Sequence, residues 1–283
     1  MMYKATLILE GGGMRGLYTC GVLDFFIEKN LEIETVIGVS SGATNACNYL
    51  SKQKGRGLAI NTDYLAGNKY LSIKNFVTTK SAFGMDFLFD EIPNRLNPFD
   101  YCSFHNSPSQ LYAVSTDIET GQACYRPIIN MSTDEPYLKA SISLPLLAPI
   151  VHIDGRKLLD GGVADSIPIK YAIDRKYHKN IVVLTRDAAY KKEKQTSLPL
   201  IRRIYKDYPK LISLLEKRHI NYKNAQNHLH MAKRQGKAFI IQPQHPIKIS
   251  RLEKDKKKLK SLYEEGYRDA KLAYDDIITY LES

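Results

Sequence analysis

Ser40 is the first residue whose surroundings suggest chemistry. It lies at the centre of Gly38-Val39-Ser40-Ser41-Gly42, which has the spacing GxSxG, between a small apolar run and a run that can form a helix. A serine on such a sharp strand-to-helix turn can act as a nucleophile, and the flanking Gly38 and Gly42 leave room for crowded neighbouring strands. Glycines also suit a tight structural turn, so this motif alone leaves both interpretations open. We take Ser40 as the candidate nucleophile and Ser41 as a helix-capping residue.

A glycine-rich loop is the second candidate feature, with the sequence Gly11-Gly12-Gly13-Met14-Arg15-Gly16. Its GxGxxG spacing, after an apolar stretch and before a stretch of helical spacing, is typical of dinucleotide sites, and Glu32 or Glu34 lies near the expected ribose-binding acid. The next strand argues against a dinucleotide, because it ends in the GxSxG turn where such an enzyme would place that acid. The loop has another use, since unobstructed N–H groups at a helix N-terminus can stabilise an oxyanion.

Asp160 is the third candidate, in the sequence Leu159-Asp160-Gly161-Gly162. Asp-Gly-Gly can be an ordinary turn, which is our interpretation of the nearby Asp154-Gly155. Asp160, however, directly follows an apolar strand, and a carboxylate in that place can be delivered to a site at the end of the sheet.

The elements around these motifs predict the scaffold. The order of strand, glycine loop, helix and strand is a βαβ unit, which implies a parallel sheet with right-handed crossovers. Further strands are predicted at residues 110–116, 124–127 and 180–186, and residues 51–108 are predicted to form helices with long loops over the active face. We therefore predict an α/β fold, a three-layer α/β/α sandwich with a central, mostly parallel sheet.

The charge of the chain is concentrated in its last third. Residues 191–283 contain 22 Lys and Arg against 11 Asp and Glu, whereas residues 1–190 contain 19 of each, so the last third carries the whole net charge of +11. We expect a neutral domain at residues 1–190 and a basic, mainly helical extension at residues 191–283, packed on it or flanking it. The capping-box spacing of Ser250 and Glu253 predicts the start of the last long helix, with Gly266 as a candidate break.

The basic extension has three interpretations: a solvated face, a peripheral contact with an anionic membrane, and a nucleic-acid surface. Nucleic acid is disfavoured, because no zinc, helix-turn-helix or RNA-binding signature accompanies the charge. The chain has no apolar stretch long enough to span a bilayer and no N-terminal secretory signal. We expect a cytoplasmic protein, with the inner membrane surface as the site of any peripheral contact.

The three motifs, taken in order, resemble those of the patatin-like phospholipases, which are lipid acyl hydrolases with a Ser–Asp dyad. The segment KASISLPLLAP at residues 139–149 is also similar to that family's Ala-Ser/Thr-x-x-x-Pro stretch. The resemblance covers about residues 5–190 and departs at Glu10, where the family often has Asp. The basic extension is similar to the C-terminal extension of one bacterial subgroup.

The resemblance implies a serine hydrolase that cleaves acyl esters of lipids through an acyl-Ser40 intermediate, with Asp160 as the base. The glycine loop would supply the oxyanion N–H groups, with Gly12 and Gly13 as the preferred donors. No cofactor and no metal are implied, and the four scattered cysteines also lack the spacing of a zinc site. Three aromatic residues are candidates for the wall of an acyl-chain site: Phe83, Phe87 and Phe89.

Two rival functions use the same residues. A Ser–His–Asp triad in the hydrolase order would need His178 or a later histidine, and none of these lies in a glycine-rich or loop-end motif. A non-catalytic protein could instead use a hydrolase-like scaffold to bind an anionic surface, either a membrane or a nucleic acid.

Overall fold

The computed structural model describes residues 2–65 and 67–283. Within them the strands are β1 (Met2–Leu9), β2 (Glu32–Val39), β3 (Gln110–Asp117), β4 (Ala123–Ile128), β5 (Val151–Ile153), β6 (Arg156–Asp160), β7 (Asn180–Val183) and β8 (Ala238–Ile241). The α-helices are α1 (Gly16–Glu28), α2 (Ser41–Leu50), α3 (Arg56–Asp63), α4 (Ile73–Thr79), α5 (Tyr101–His105), α6 (Met131–Ile142), α7 (Ile169–Asp174), α8 (Leu198–Ile204), α9 (Pro209–Glu216), α10 (Arg218–Arg234), α11 (Lys256–Leu272) and α12 (Tyr274–Glu282). A π-helix spans Phe87–Leu96, and 3-10 turns lie at Gly13–Arg15 and Gly161–Val163.

The strands form one mixed sheet in the order β5-β6-β3-β2-β1-β7-β8, with β4 also paired to β3. The run β3-β2-β1-β7-β8 is parallel, and β4, β5 and β6 make the antiparallel pairs. Alternate side chains of a strand face opposite sides: Leu7 and Leu9 pack into the core that contains α1 and α11, whereas Ile8 packs with residues of α7 and α10. Helices thus cover both faces of the sheet, which confirms the predicted three-layer α/β/α sandwich.

The pairing of β3 brings Asp160 next to Ser40. β4 covers one edge of β3. On the other edge, Val39 at the end of β2 lies opposite Val114. The next residue of β3, Ser115, lies opposite Asp160 of β6. Because β6 continues the line of β2 at the point where β2 ends, Asp160 reaches the turn at Ser40.

The basic last third contributes to the same sheet and the same core. β8 extends the sheet beside β7, and α11 packs along α1. Two glycines allow this helix contact to be close: a Cβ atom on Gly266 would lie 2.0 Å from the Tyr18 carbonyl oxygen, and one on Gly21 would lie 2.0 Å from the Tyr263 carbonyl oxygen. None of the described helices is both long enough and apolar enough to cross a membrane.

Two local predictions about α11 are wrong. Asp255, rather than Ser250, caps the helix, because the Asp255 carboxylate accepts hydrogen bonds from the N–H groups of Lys257 and Lys258. Ser250 lies in the preceding loop, where its hydroxyl accepts from the N–H of Leu252. The helix also runs through Gly266 without a break, since that glycine serves the contact with α1.

Replacing Gly266 with alanine is expected to destabilise the protein by about 1–3 kcal/mol, the usual cost of overpacking. Alanine is the better helix former by about 1 kcal/mol, so the clash with the Tyr18 backbone must outweigh that gain. Thermal unfolding followed by circular dichroism measures the effect, with the exposed Lys257→Ala in the same helix as control. A midpoint equal to that of the wild type would show that the two helices can separate at little cost.

Candidate active site

Ser40 lies on a strained turn between β2 and α2. Its backbone has φ 54° and ψ −124°, and only 8 % of the residue is exposed. A positive φ is uncommon outside glycine and persists where the surroundings enforce it. The neighbouring glycines make the turn possible: a Cβ atom on Gly38 would lie 2.4 Å from Ala43 Cα, and one on Gly42 would lie 2.5 Å from the Leu9 carbonyl oxygen. The turn is therefore crowded on both sides.

Ser141 of α6 fixes the backbone of this turn. The N–H of Ser40 donates to Ser141 Oγ at 2.9 Å, and the Ser141 hydroxyl donates in turn to the Val114 carbonyl at 2.6 Å. Sequence analysis singled out the segment that contains Ser141 but gave the residue no role. The hydrogen bonds show that this segment connects the turn to β3.

Asp160 is buried beside the turn, with 2 % exposure. Its Oδ1 accepts a hydrogen bond from the Gly162 N–H at 2.8 Å, and its own N–H donates to the Ser143 carbonyl at 2.7 Å. Oδ2 is buried and has no hydrogen bond of standard geometry within the described residues. The Ser40 hydroxyl is nevertheless close enough to affect the carboxyl group.

Burial dominates the electrostatics of Asp160. It raises the pKa of the carboxyl group, because the charged form loses its solvation, and the Ser40 hydroxyl and the charges of Arg218 and Arg251 oppose that rise. A carboxylate with a raised pKa is a stronger base than a solvated one.

Two N–H groups of the glycine loop have partners elsewhere in the protein. Gly12 donates its N–H to Ser41 Oγ at 2.9 Å, and Met14 donates to the Arg251 carbonyl at 3.1 Å. Gly13, at φ 58°, has an N–H with no hydrogen-bond partner among the described residues and borders the cavities on both sides of Ser40. The interpretation of Ser41 as a helix cap is wrong: Ser40 holds the N-cap position without a side-chain hydrogen bond, and Ser41 anchors the glycine loop.

Glu10 joins three parts of the fold under this loop. Its carboxylate accepts from the Thr185 N–H at 2.7 Å and from the Tyr222 hydroxyl at 2.7 Å. Thr185 follows β7 and Tyr222 belongs to α10, so the basic last third helps to hold the start of the glycine loop.

Ser40 separates two cavities of different character. One, of about 170 Å³, is mainly apolar and is lined by residues of α2, the π-helix and α6. Phe83 and Phe89 line it as predicted, whereas Phe87 is not among its lining residues and instead packs edge-on against Tyr64. The other, of about 30 Å³, is polar.

The polar cavity brings together most of the predicted site residues: Gly11, Gly12, Gly13, Arg15, Ser40, Asp160 and Gly162. Met14 and Gly16 line the apolar cavity instead. Gly38, Gly42 and Gly161 line neither one, and a Cβ atom on Gly161 would lie 2.2 Å from the Val114 carbonyl oxygen. These three glycines shape the backbone behind the site.

A family model described as Patatin-like phospholipase matches residues 7–173, which is more than half of the chain. The chain belongs to the patatin-like phospholipase family. The predicted family is thereby confirmed. A second model, described as a domain of unknown function (DUF6363), matches residues 208–282 of this patatin-like protein.

Similar bacterial proteins are described as uncharacterized. The protein YjjU of Escherichia coli (strain K12) is 27 % identical over 195 residues, which are 64 % of this chain and 51 % of that protein. The NTE family proteins Mb2594 of Mycobacterium bovis and Rv2565 of Mycobacterium tuberculosis are each 29 % identical over 163 residues, which are 57 % of this chain and 27 % of theirs. The match thus spans about half the length of these relatives or less.

Among solved structures, the crystal structure of VipD from Legionella pneumophila superimposes with a TM-score of 0.51 at 12 % identity. The superposition covers 97 % of this chain and 67 % of VipD. At this level of identity the likeness supports the fold of the patatin-like protein alone.

Four basic residues that line the polar cavity from outside the motifs were not predicted from the sequence: Arg186, Lys192, Arg218 and Arg251. For Lys192, Arg218 and Arg251 the excess of basic residues after position 190 was the one available signal, and it did not indicate their place in the fold. Arg186 precedes that excess and had no such signal.

Proposed function

We propose that this protein is a serine hydrolase that cleaves acyl esters of lipids through an acyl-Ser40 intermediate, with Asp160 as the base. One observation carries the proposal: Ser40 lies on a strained turn beside a buried carboxylate, between an apolar and a polar cavity. Family membership supports the lipid class of the substrate.

In each of the two half-reactions Asp160 accepts one proton and then returns one. As the Ser40 hydroxyl oxygen attacks the ester carbonyl carbon, its proton passes to the Asp160 carboxylate, and a tetrahedral oxyanion forms. When the intermediate collapses, the carbon–oxygen bond to the alcohol breaks, and Asp160 returns the proton to the leaving alkoxide. Water then attacks the acyl-serine and gives a proton to Asp160, and Asp160 returns that proton to the Ser40 oxygen as the bond to the acyl group breaks and the fatty acid is released.

Gly13 is the oxyanion donor that we favour. Its N–H has no partner among the described residues and Gly13 lines both cavities beside Ser40, whereas the N–H of Gly12 is used by Ser41. A preorganised donor of this kind typically contributes about 100- to 1000-fold to the rate of acyl transfer.

The apolar cavity is the proposed site of the acyl chain. Phe83, Phe89 and Leu138 are among its lining residues, and it reaches Ser40 past Leu144. An apolar chain transferred from water into such a cavity gains about 0.8 kcal/mol for each buried methylene group.

A dyad is preferred to a triad, because no histidine is found among the described residues that line either cavity. The cytoplasmic location and the peripheral contact of residues 191–283 with an anionic membrane stay predictions. The alternative is a non-catalytic protein that binds an anionic surface. Such a protein would show neither turnover nor covalent labelling in the following experiment.

Hydrolysis of p-nitrophenyl butyrate by the wild type, together with a fluorophosphonate labelling gel, tests the proposal. Turnover and a covalent label that both depend on Ser40 are expected. A folded wild type that neither turns over the ester nor takes the label would favour the non-catalytic alternative.

A further inference from the structure

Five basic side chains surround the polar cavity beside Ser40, and we call them the cationic cluster: Arg15, Arg186, Lys192, Arg218 and Arg251. They come from the glycine loop, the segment after β7, the start of α10 and the loop before α11. All but Arg15 also line an adjoining outer cavity of about 320 Å³. Because the inner cavity of about 30 Å³ shares these four residues with the outer one, the two cavities form a continuous cationic space that begins beside Ser40.

The positive charge of the cluster is only partly balanced by carboxylates of the protein. Across residues 2–65 and 67–283, none of the five cations takes part in an ion pair. The carboxylates on the inner cavity are those of Glu10 and Asp160, and Glu10 is already hydrogen-bonded by Thr185 and Tyr222. Five formal positive charges therefore face two negative ones.

The protein holds these side chains in place with neutral groups. The Arg186 guanidinium donates to the Ile247 carbonyl at 3.2 Å and stacks over the ring of Tyr190, and the Lys192 ammonium lies 4.2 Å from the ring centre of Tyr222. The buried Nε atoms of Arg15 and Arg186 have no hydrogen-bond partner in the described part of the chain. Part of the hydrogen-bond donor capacity of the cluster is thus not used by the protein.

The electrostatics show that the cations repel one another. Burial, with the nearby charge of Arg186, lowers the pKa of Arg15 to about 10. Burial, with the charge of Arg251, lowers the pKa of Arg218 to about 10, and burial beside Arg218 and Arg251 lowers the pKa of Lys192. Like charges held this close destabilise the folded protein, and a bound anion would offset that effect.

We propose that the cationic cluster binds a phosphomonoester on the alcohol half of the ester, so that the substrate is a glycerolipid with a doubly charged phosphate, such as a phosphatidate. This deepens the proposed function and rests on it. With the acyl chain in the apolar cavity, the alcohol half of the ester points into the polar one. Guanidinium groups match phosphate oxygens in bidentate geometry. Three surplus positive charges favour a dianion over a headgroup that carries its own cation.

The same placement gives a role to the region matched by the domain of unknown function. Arg218 and Arg251 lie within residues 208–282 and contribute two of the five cations. Arg218 also donates to the Gly162 carbonyl at 3.1 Å and so positions the loop that carries Asp160. The region thus completes the headgroup subsite.

The test compares dihexanoyl phosphatidate with dihexanoyl phosphatidylcholine, both below their micellar concentrations so that no surface contributes. The ratio of their kcat/KM values is measured for the wild type, Lys192→Gln and Arg251→Gln, neither of whose side chains donates a hydrogen bond within the described residues. Arg203→Gln, an exposed arginine on α8, is the matched control for loss of one charge. We expect a wild-type preference for phosphatidate of about tenfold or more, reduced about tenfold in each cluster variant and unchanged in the control.

Binding to the Ser40→Ala variant, measured by calorimetry, separates this inference from the proposed hydrolysis. Tighter binding of dihexanoyl phosphatidate than of dihexanoyl phosphatidylcholine, lost on adding Arg251→Gln, supports the subsite even if no ester is turned over. Equal binding and equal kcat/KM for the two lipids would overturn it. Inorganic phosphate that binds as tightly as the phosphatidate would overturn the assignment to a lipid headgroup.

Discussion

Replacing Ser40 with alanine is expected to lower kcat/KM for p-nitrophenyl butyrate by about 10⁴-fold or more and to abolish fluorophosphonate labelling. Removing a serine nucleophile from a hydrolase leaves the oxyanion donors and substrate binding, which alone give a small fraction of the rate. The strained φ of 54° is borne by the backbone, so the smaller side chain leaves the turn intact. The variant should therefore fold.

The measurement pairs Ser40→Ala with Ser261→Ala, an exposed serine on α11. Circular dichroism shows whether each variant is folded, and the labelling gel and the ester assay are run on the same samples. Loss of both signals in Ser40→Ala, with both retained in Ser261→Ala, assigns the nucleophile. Persistent turnover and label in a folded Ser40→Ala would move the nucleophile elsewhere.

The local features of the site could be predicted because they depend on few neighbouring residues. The turn at Ser40 needs Gly38 and Gly42 on either side, since a Cβ atom at either position would lie within 2.5 Å of backbone atoms. Such requirements are visible as spacing in the sequence. The strand, loop and helix around these glycines follow from the spacing of apolar residues along the chain. The predicted sheet and the βαβ unit at its start were therefore confirmed.

The cationic cluster could not be predicted, because its members come from distant parts of the chain. Arg15 and Arg251 are 236 positions apart and meet where the loop before α11 crosses the glycine loop, with the Arg251 carbonyl accepting from Met14. Lys192 and Arg218 reach the cavity through the packing of α10 against the sheet. The sequence shows that the last third is basic, but tertiary packing decides which charges face inward.

The N-cap of α11 was predicted wrongly because two side chains that precede the helix can both act as a cap. Ser250 and Asp255 both precede α11, and the motif spacing favoured Ser250. The helix starts later because the Arg251 carbonyl is used by the glycine loop, which keeps that stretch out of a helix. The hydrogen bond between Met14 and Arg251 therefore decides where α11 begins, and the capping-box spacing of Ser250 and Glu253 does not.

Replacing Asp160 with asparagine is expected to lower kcat/KM by about 100- to 10,000-fold, the usual contribution of a general base. The change is nearly isosteric, and an amide oxygen can still accept from the Gly162 N–H. What is lost is the proton acceptor for Ser40. Fluorophosphonate labelling should slow by a similar factor, because it also needs the serine proton to be removed.

The same substitution is expected to raise the stability of the protein at neutral pH. Burial raises the folded-state pKa of Asp160 above its unfolded value of about 3.9, so the folded state holds the proton more tightly. Stability of the wild type therefore falls as the pH rises from that value through the folded pKa, and above both values the full penalty applies. Asparagine carries no such penalty.

Thermal unfolding of wild type and Asp160→Asn at pH 8 and at pH 4 checks this sign. The variant should unfold at the higher temperature at pH 8, with each kcal/mol gained appearing as roughly 2–4 °C. The difference should shrink at pH 4, because the raised pKa favours the protonated carboxyl group in the folded state as the pH falls. A variant that is inactive but less stable than the wild type at pH 8 would mean that Asp160 is stabilised as an anion by Arg218 and Arg251, and that its burial is fully compensated.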